Sequence, residues 1–200
     1  MREATKTRKS KETDITIKLN IDGSGMAKID SGIGFLDHML ELFAFWGHFD
    51  LEVTTKEADL KVDIHHTNED LGIVLGQAFK EALGDKVGIK RNGFASFIME
   101  SVTANVTVDI SGRAFFSWPL TGAGVREDTK EGYDFEYAAH FLDAFSKTLG
   151  MNLNIVIAGS SPDLHTTLEP IFKALGKALD EATQIDPRRK GVPSTKGVID

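Results

Sequence analysis

The sequence contains no cysteine. That excludes a disulfide framework, an iron–sulfur cluster and a thiolate zinc site, and it fits a reducing, cytoplasmic setting. It also has no apolar run approaching the ~20 residues needed to span a bilayer, so no membrane partner is expected. Positive charge is in short supply. The 23 lysines and arginines face 30 aspartates and glutamates, a formal net charge of -7. A general nucleic-acid role or an anionic membrane surface is therefore not expected either. The opening stretch MREATKTRKSKETD is basic but has no apolar core behind it. It reads as a solvated arm rather than a signal peptide.

What is present is an ordinary globular balance, 41% apolar and 26% charged over 200 residues, enough to bury a sizeable core. Alternating apolar and polar residues predict strands in DITIKLNID, FDLEVTTK, DLKVDI, FASFIME, NVTVDIS, AFFSW and LNIVIAG, with SGMAKID returning after the Asp22-Gly23 turn. Helical spacing predicts four helices: GFLDHMLELFAFW, residues 67–84 capped by Thr67 or Asn68, YDFEYAAHFLDAFSKTLG, and LEPIFKALGKALDEA with Pro170 in its first turn.

The two halves of the chain match each other. DHMLELFAFWG aligns with AHFLDAFSKTLG, and HHTNEDLGIVLG with HTTLEPIFKALG. His38 then pairs with His140, His65 with His165, Glu69 with Glu169 and Gly76 with Gly176. The pattern predicts an internal duplication. We expect one structural unit over 1–200, made of repeats at about 10–88 and 92–184 and a basic tail at 185–200.

The histidines suggest a purpose for the duplication. Residues i and i+4 of a helix share a face, whereas neighbours diverge by about 100°. His65 and Glu69 can close on one ion while His66 turns toward another, and His165 with Glu169 repeats the pair. His38 and His140 would complete two-histidine, one-carboxylate sets. Imidazole and carboxylate without thiolate suit manganese, iron, zinc or nickel. His48 lies outside the repeat and reads as an ordinary surface or core residue. A second group is basic: DPRRKGVPSTKG gathers Arg188, Arg189, Lys190 and Lys196 with Ser194, Thr195 and glycines, a composition suited to a small phosphate. Arg91 and Arg113 are further candidate anion ligands.

Taken together, FLDHML, HHTNED, DISGR, HFLDAF, FKALGKAL and DPRRKGVPSTKG resemble the imidazoleglycerol-phosphate dehydratase family over nearly the whole chain. The resemblance implies a duplicated α+β fold of the ribosomal protein S5 domain 2-like type. Each half is a two-layer α/β sandwich with a four-stranded sheet and two helices. It implies a 24-subunit homo-oligomeric shell with two manganese ions per site, formed between subunits. It also implies a phosphorylated imidazole substrate, from which water is removed to give imidazole acetol phosphate. Two ions on the ring nitrogens would favour the imidazolate form, from which the neighbouring hydroxide leaves. One ion would take His38, His65 and Glu69, and the other His66, His140, His165 and Glu169. Glu12, Glu69 and Glu169 become candidates for proton transfer. Arg91, Arg113, Lys173, Ser194 and Lys196, with Glu12, become substrate and phosphate ligands.

The chain departs from the family pattern at three positions. Thr166 stands where a second histidine is usual, and Ile64 and Met99 stand where aspartates are usual. The first ion's site is thereby one ligand short and is expected to be the weaker. An oxygen of Asp163 is a candidate replacement. Two other classes remain compatible with the histidine pattern. One is a non-catalytic metal-binding or storage assembly; the other is a related lyase acting on another phosphorylated imidazole or diol.

Overall fold

In the computed structural model, which describes residues 1–119 and 132–199, eight strands and four helices follow one order twice. The first half runs β1 (Glu3–Lys9), β2 (Asp14–Asn20), β3 (Ala27–Asp30), α1 (Gly34–Gly47), β4 (Asp50–Glu57) and α2 (His65–Leu83). The second runs β5 (Asn92–Met99), β6 (Val102–Asp109), β7 (Phe115–Ser117), α3 (Phe135–Leu149), β8 (Asn152–Ala158) and α4 (Leu164–Thr183). The sheets have matching strand orders, β1-β2-β4-β3 and β5-β6-β8-β7. In each, the third strand of the half pairs parallel with the fourth and the remaining pairs are antiparallel. This is the duplicated α+β architecture expected.

Three local expectations are corrected. The basic opening stretch is not a solvated arm: residues 3–9 form the edge strand β1, paired along its length with β2. Its single apolar residue, Ala4, is buried, and the charged remainder suits an edge. SGMAKID does contain a strand, but it pairs with β4 rather than folding back on β2. Residues 59–64 alternate yet form no strand, because Leu60 and Val62 are exposed and have no layer to pack on. Two helix starts also move. α2 begins at His65, ahead of Thr67 and Asn68, and α4 begins at Leu164, which places Pro170 inside the helix rather than in its first turn.

Alternation in the strands buries Ile15, Ile17 and Leu19 of β2 and Ala104, Val106 and Val108 of β6 beneath the helices. The helices lie between the sheets and pair across the two halves: α1 packs on α4, and α2 on α3. Both contacts are made at glycine. A Cβ on Gly176 would run into the Phe43 carbonyl oxygen of α1, and one on Gly76 would sit 2.9 Å from the Phe145 carbonyl oxygen of α3. Gly72 is crowded by Phe141 of α3 in the same way. Exchanging an exposed helical glycine for alanine gains about 1 kcal/mol of helix propensity. Here overpacking against backbone, which costs about 1–3 kcal/mol, reverses the sign. Gly176→Ala is therefore expected to lower the melting temperature, and a melting temperature equal to or above that of the parent would show that the crossing has slack.

Candidate metal centre and phosphate-binding tail

The helix pairing decides which histidines meet. His38 on α1 faces His165 at the start of α4, with ring centroids 5.0 Å apart. Glu169, one turn on from His165, accepts from His165 Nε2 at 2.7 Å and lies 3.5 Å from His38 Nε2. Ligand atoms of these three residues all fall within 4.8 Å of one another. The other helix pair brings the same residue types near one another more loosely, without closing to that 4.8 Å limit. His140 on α3 faces His65 at the start of α2, with centroids 4.9 Å apart, and Glu69 lies 3.8 Å from His65 Nε2. The second set is the more open, since the Glu69 side chain is 49% exposed against 13% for Glu169.

Within one chain, then, the grouping differs from the one the resemblance implied. His38 sits with His165 and Glu169, not with His65 and Glu69, because α1 packs on α4 and not on α2. His66 keeps an edge contact with the His65 ring, centroids 5.7 Å apart, but takes different partners. Its Nδ1 lies 3.1 Å from Asp59 Oδ2 and 3.8 Å from Glu12 Oε2, and these three also bring ligand atoms within 4.8 Å. The Asp59 hydrogen bond, with the charge of Glu12 beside it, raises the His66 imidazole above its usual range. Asp59 was invisible as a site residue in the sequence. It falls in a stretch whose alternation suggests a strand, and no periodicity ties it to His66.

Glu169 is the most constrained carboxylate. Burial opposes its ionisation, but hydrogen bonds from Lys173 and His165 outweigh that and hold it below the usual range. Lys173 is accordingly engaged with Glu169. Thr166 does not face the cluster as a stand-in ligand. It is buried, and its N–H and hydroxyl both donate to Asp163 Oδ2 at 2.7 Å. Asp163 thus caps α4, and the same N–H lowers its carboxyl below the usual range. Ile64 occupies the position before α2 and packs partly into the core, while Met99 ends β5 in register with Val102.

The tail residues lie at the other end of the helices. Gly88 N–H donates to the Gly191 carbonyl, and Arg2 reaches the Thr183 carbonyl at 2.6 Å. Arg91 forks onto Asp109 at 2.6 and 3.0 Å and donates to the Pro193 carbonyl at 3.0 Å, so it clamps the tail to β6. Ser194 and Lys196 share a tight turn in which the Lys196 N–H donates to Ser194 Oγ at 3.2 Å. Arg113 lies in the β6–β7 connection, bonded through its backbone to Ser111 Oγ.

A His38–His165–Glu169 cluster and a more open His65–His140 pair with Glu69 beside it, on a duplicated α+β unit with a basic tail, give the chain the polar site of an enzyme built from imidazole and carboxylate. The chain belongs to the imidazoleglycerol-phosphate dehydratase family, whose model matches residues 31–179. It is 48% identical to the imidazoleglycerol-phosphate dehydratase of Geobacillus sp. (strain WCH70) over 200 residues, covering 100% of each chain. It is likewise 48% identical over 201 residues to that of Thermoanaerobacter pseudethanolicus, covering 100% of each chain. The crystal structure of the enzyme from Staphylococcus aureus superposes with a TM-score of 0.79 at 30% identity, over 92% of this chain and 99% of that one. The Pyrococcus furiosus structure in complex with (S)-C348 gives 0.79 at 32%, over 96% of this chain and 99% of that one.

The regrouping is testable by manganese titration calorimetry. His38→Ala and His165→Ala are expected to abolish one binding event, and His140→Ala and His65→Ala the other. A single event lost in common to His38→Ala and His65→Ala would restore the grouping that the resemblance implied.

Proposed function

We propose that this protein is a manganese-dependent dehydratase that converts imidazole glycerol phosphate to imidazole acetol phosphate in cytoplasmic histidine biosynthesis. The observation that carries the reading is the His38–His165–Glu169 triad, together with the facing His65–His140 pair and Glu69 beside His65, within a family of that activity. Their nitrogen and oxygen donors, without thiolate, fit manganese or a similar divalent ion. When bound, such ions polarise the imidazole ring of the substrate as Lewis acids.

The chain's own residues supply the rest. Lys173 and His165 keep Glu169 ionised and oriented, which suits a ligand and leaves it little capacity to carry a proton. Glu12 is 58% exposed and, among the described residues, its ion-pair partner is His66, at 3.8 Å, so of the three candidate carboxylates it is the best placed to move the substrate proton. Asp59 fixes the His66 ring through Nδ1 and leaves Nε2 as the ligand atom, a common arrangement around metal-binding imidazoles. Ser194 and Lys196, on a tail that Arg91 holds in place, grip the phosphate, with Arg113 assisting.

The length of the helices supports a homo-oligomer with sites between subunits. His165 and Thr183 are separated by roughly 27 Å along α4 at 1.5 Å per residue, and His65 and Leu83 by the same rise along α2. The tail follows the far end of α4 and docks just beyond the far end of α2, where Gly88 N–H meets the Gly191 carbonyl and Arg91 meets that of Pro193. A ring on a short phosphorylated chain cannot bridge that span, so the tail of one subunit serves the triads of another. A 24-subunit shell would satisfy this requirement. A storage role would leave the tail without a purpose.

Two outcomes test the proposal. Dehydration should be slow without added manganese and rise as the metal is titrated. Thr166→His should lower the manganese requirement, because position 166 matches His66 of the other half and an imidazole there adds a nitrogen donor at the start of α4 while the backbone cap on Asp163 survives. An unchanged metal dependence in that variant would show that residue 166 faces no ion. Separately, His165→Ala and Lys196→Ala should each be nearly inactive, yet regain activity when dissociated and reassembled together. No recovery on mixing would show that one chain supplies both groups.

A further inference from the structure

We propose that Asp70 is a positioning residue that holds Glu12 over His66, by latching the Ser10–Thr13 turn onto the metal-bearing helix. This rests on the reading of Glu12 as a substrate-site carboxylate. Asp70 follows Glu69 on α2 and lies one turn beyond His66, but no part of the chemistry above uses it. It is an acid only 9% exposed, with both oxygens committed. Oδ2 accepts from the Thr13 hydroxyl at 2.6 Å, and Oδ1 accepts from Arg8 Nε at 2.7 Å. Thr13 itself is fully buried.

These two donors flank the segment that carries Glu12. Arg8 lies in β1 and Thr13 immediately precedes β2. Between them the chain turns tightly. Ser10 N–H donates to the Thr13 carbonyl at 2.9 Å, while Ser10 Oγ accepts from the N–H groups of Glu12 and Thr13, both at 3.0 Å. The turn is therefore ordered by Ser10 and anchored by Asp70. Glu12 projects from it into solvent with His66 Nδ1 3.8 Å away. One helix thus carries His66 and also the carboxylate that fixes the distance of Glu12 from it. Hydrogen bonds to a charged acceptor that are taken out of water are short, strong and directional, which is what a positional constraint requires.

A purely structural role would pin β1 to α2 and nothing more. The two are separated by a double-mutant cycle on Thr13 and Glu12, with manganese saturating. Thr13→Val removes the latching hydroxyl at nearly constant volume and leaves the Arg8 pair intact. It is expected to lower kcat/KM by about tenfold or more, whereas Thr13→Ser, which keeps the hydroxyl, stays near the parent. In a Glu12→Gln background, Thr13→Val should have almost no further effect, because the group it positions is gone. Equal fold losses with and without Glu12 would overturn the latch while leaving Glu12 in the site. A fully active Glu12→Gln would overturn the latch together with the reading it rests on. Hydrogen–deuterium exchange gives a readout that needs no turnover. The Glu12 and Thr13 amides should exchange faster in Thr13→Val than in Thr13→Ser, at unchanged protection of α2. Equal exchange in the two variants would overturn the proposal.

Discussion

The backbone contact at the two helix crossings governs the rest of the molecule. Gly176 lets α4 approach the Phe43 carbonyl of α1, and Gly76 lets α2 approach the Phe145 carbonyl of α3. Only hydrogen fits at either place. A helix is stiff, so its separation from its neighbour at the crossing sets where its first turn lies. His165 and Glu169 stand in the opening turns of α4, and His65 and Glu69 in those of α2. A methyl group inserted at the crossing would displace groups whose useful placement is fixed to a fraction of an ångström. Packing and chemistry therefore share one constraint, imposed twice.

The frame is symmetric but its chemistry is not. At the start of α2, His66 leans on Asp59 and faces Glu12. At the matching start of α4, Thr166 folds back onto Asp163 and completes a cap. The same backbone position thus holds a titratable, half-exposed ring in one half and a buried hydroxyl in the other. The acid three residues before Thr166 stabilises the helix start, whereas the acid seven residues before His66 orients an imidazole. One half uses this position to cap a helix and the other to present an imidazole to two carboxylates.

Much of this was legible from residue types alone. Alternation located β2, β4, β6 and β8 because each has one face on the core, as Ile15, Ile17 and Leu19 do. The matched histidines and glutamates announced the duplication, since amphipathicity alone does not demand them. β1 escaped notice because an edge strand made of threonine, lysine and arginine has almost no apolar signal. Residues 59–64 misled in the opposite sense, since alternation without a surface to cover does not make a strand. The grouping of the histidines within one chain was less legible. Both members of each His-x-x-x-Glu pair were evident, but the histidine that joins them comes from the other half, and no spacing encodes which helices pack together. Asp59 and Asp70 were hidden for a related reason, as their roles exist only once distant segments meet.

The crossed pairing has a bearing on how such a chain came to exist. Neither half holds a complete triad. The first contributes His38 to one set and His65 with Glu69 to the other, and the second supplies the complements, His165 with Glu169 and His140. A single-copy precursor of half the length would have had a helix bearing one histidine and another bearing the His-x-x-x-Glu pair, with no contact between them. Two such molecules placed face to face would have generated both sets at once, related by a twofold axis. On this view fusion created neither site; it joined two halves that already depended on each other. After that the two copies no longer had to be identical, and a histidine in one half could give way to Thr166 without the same change at His66.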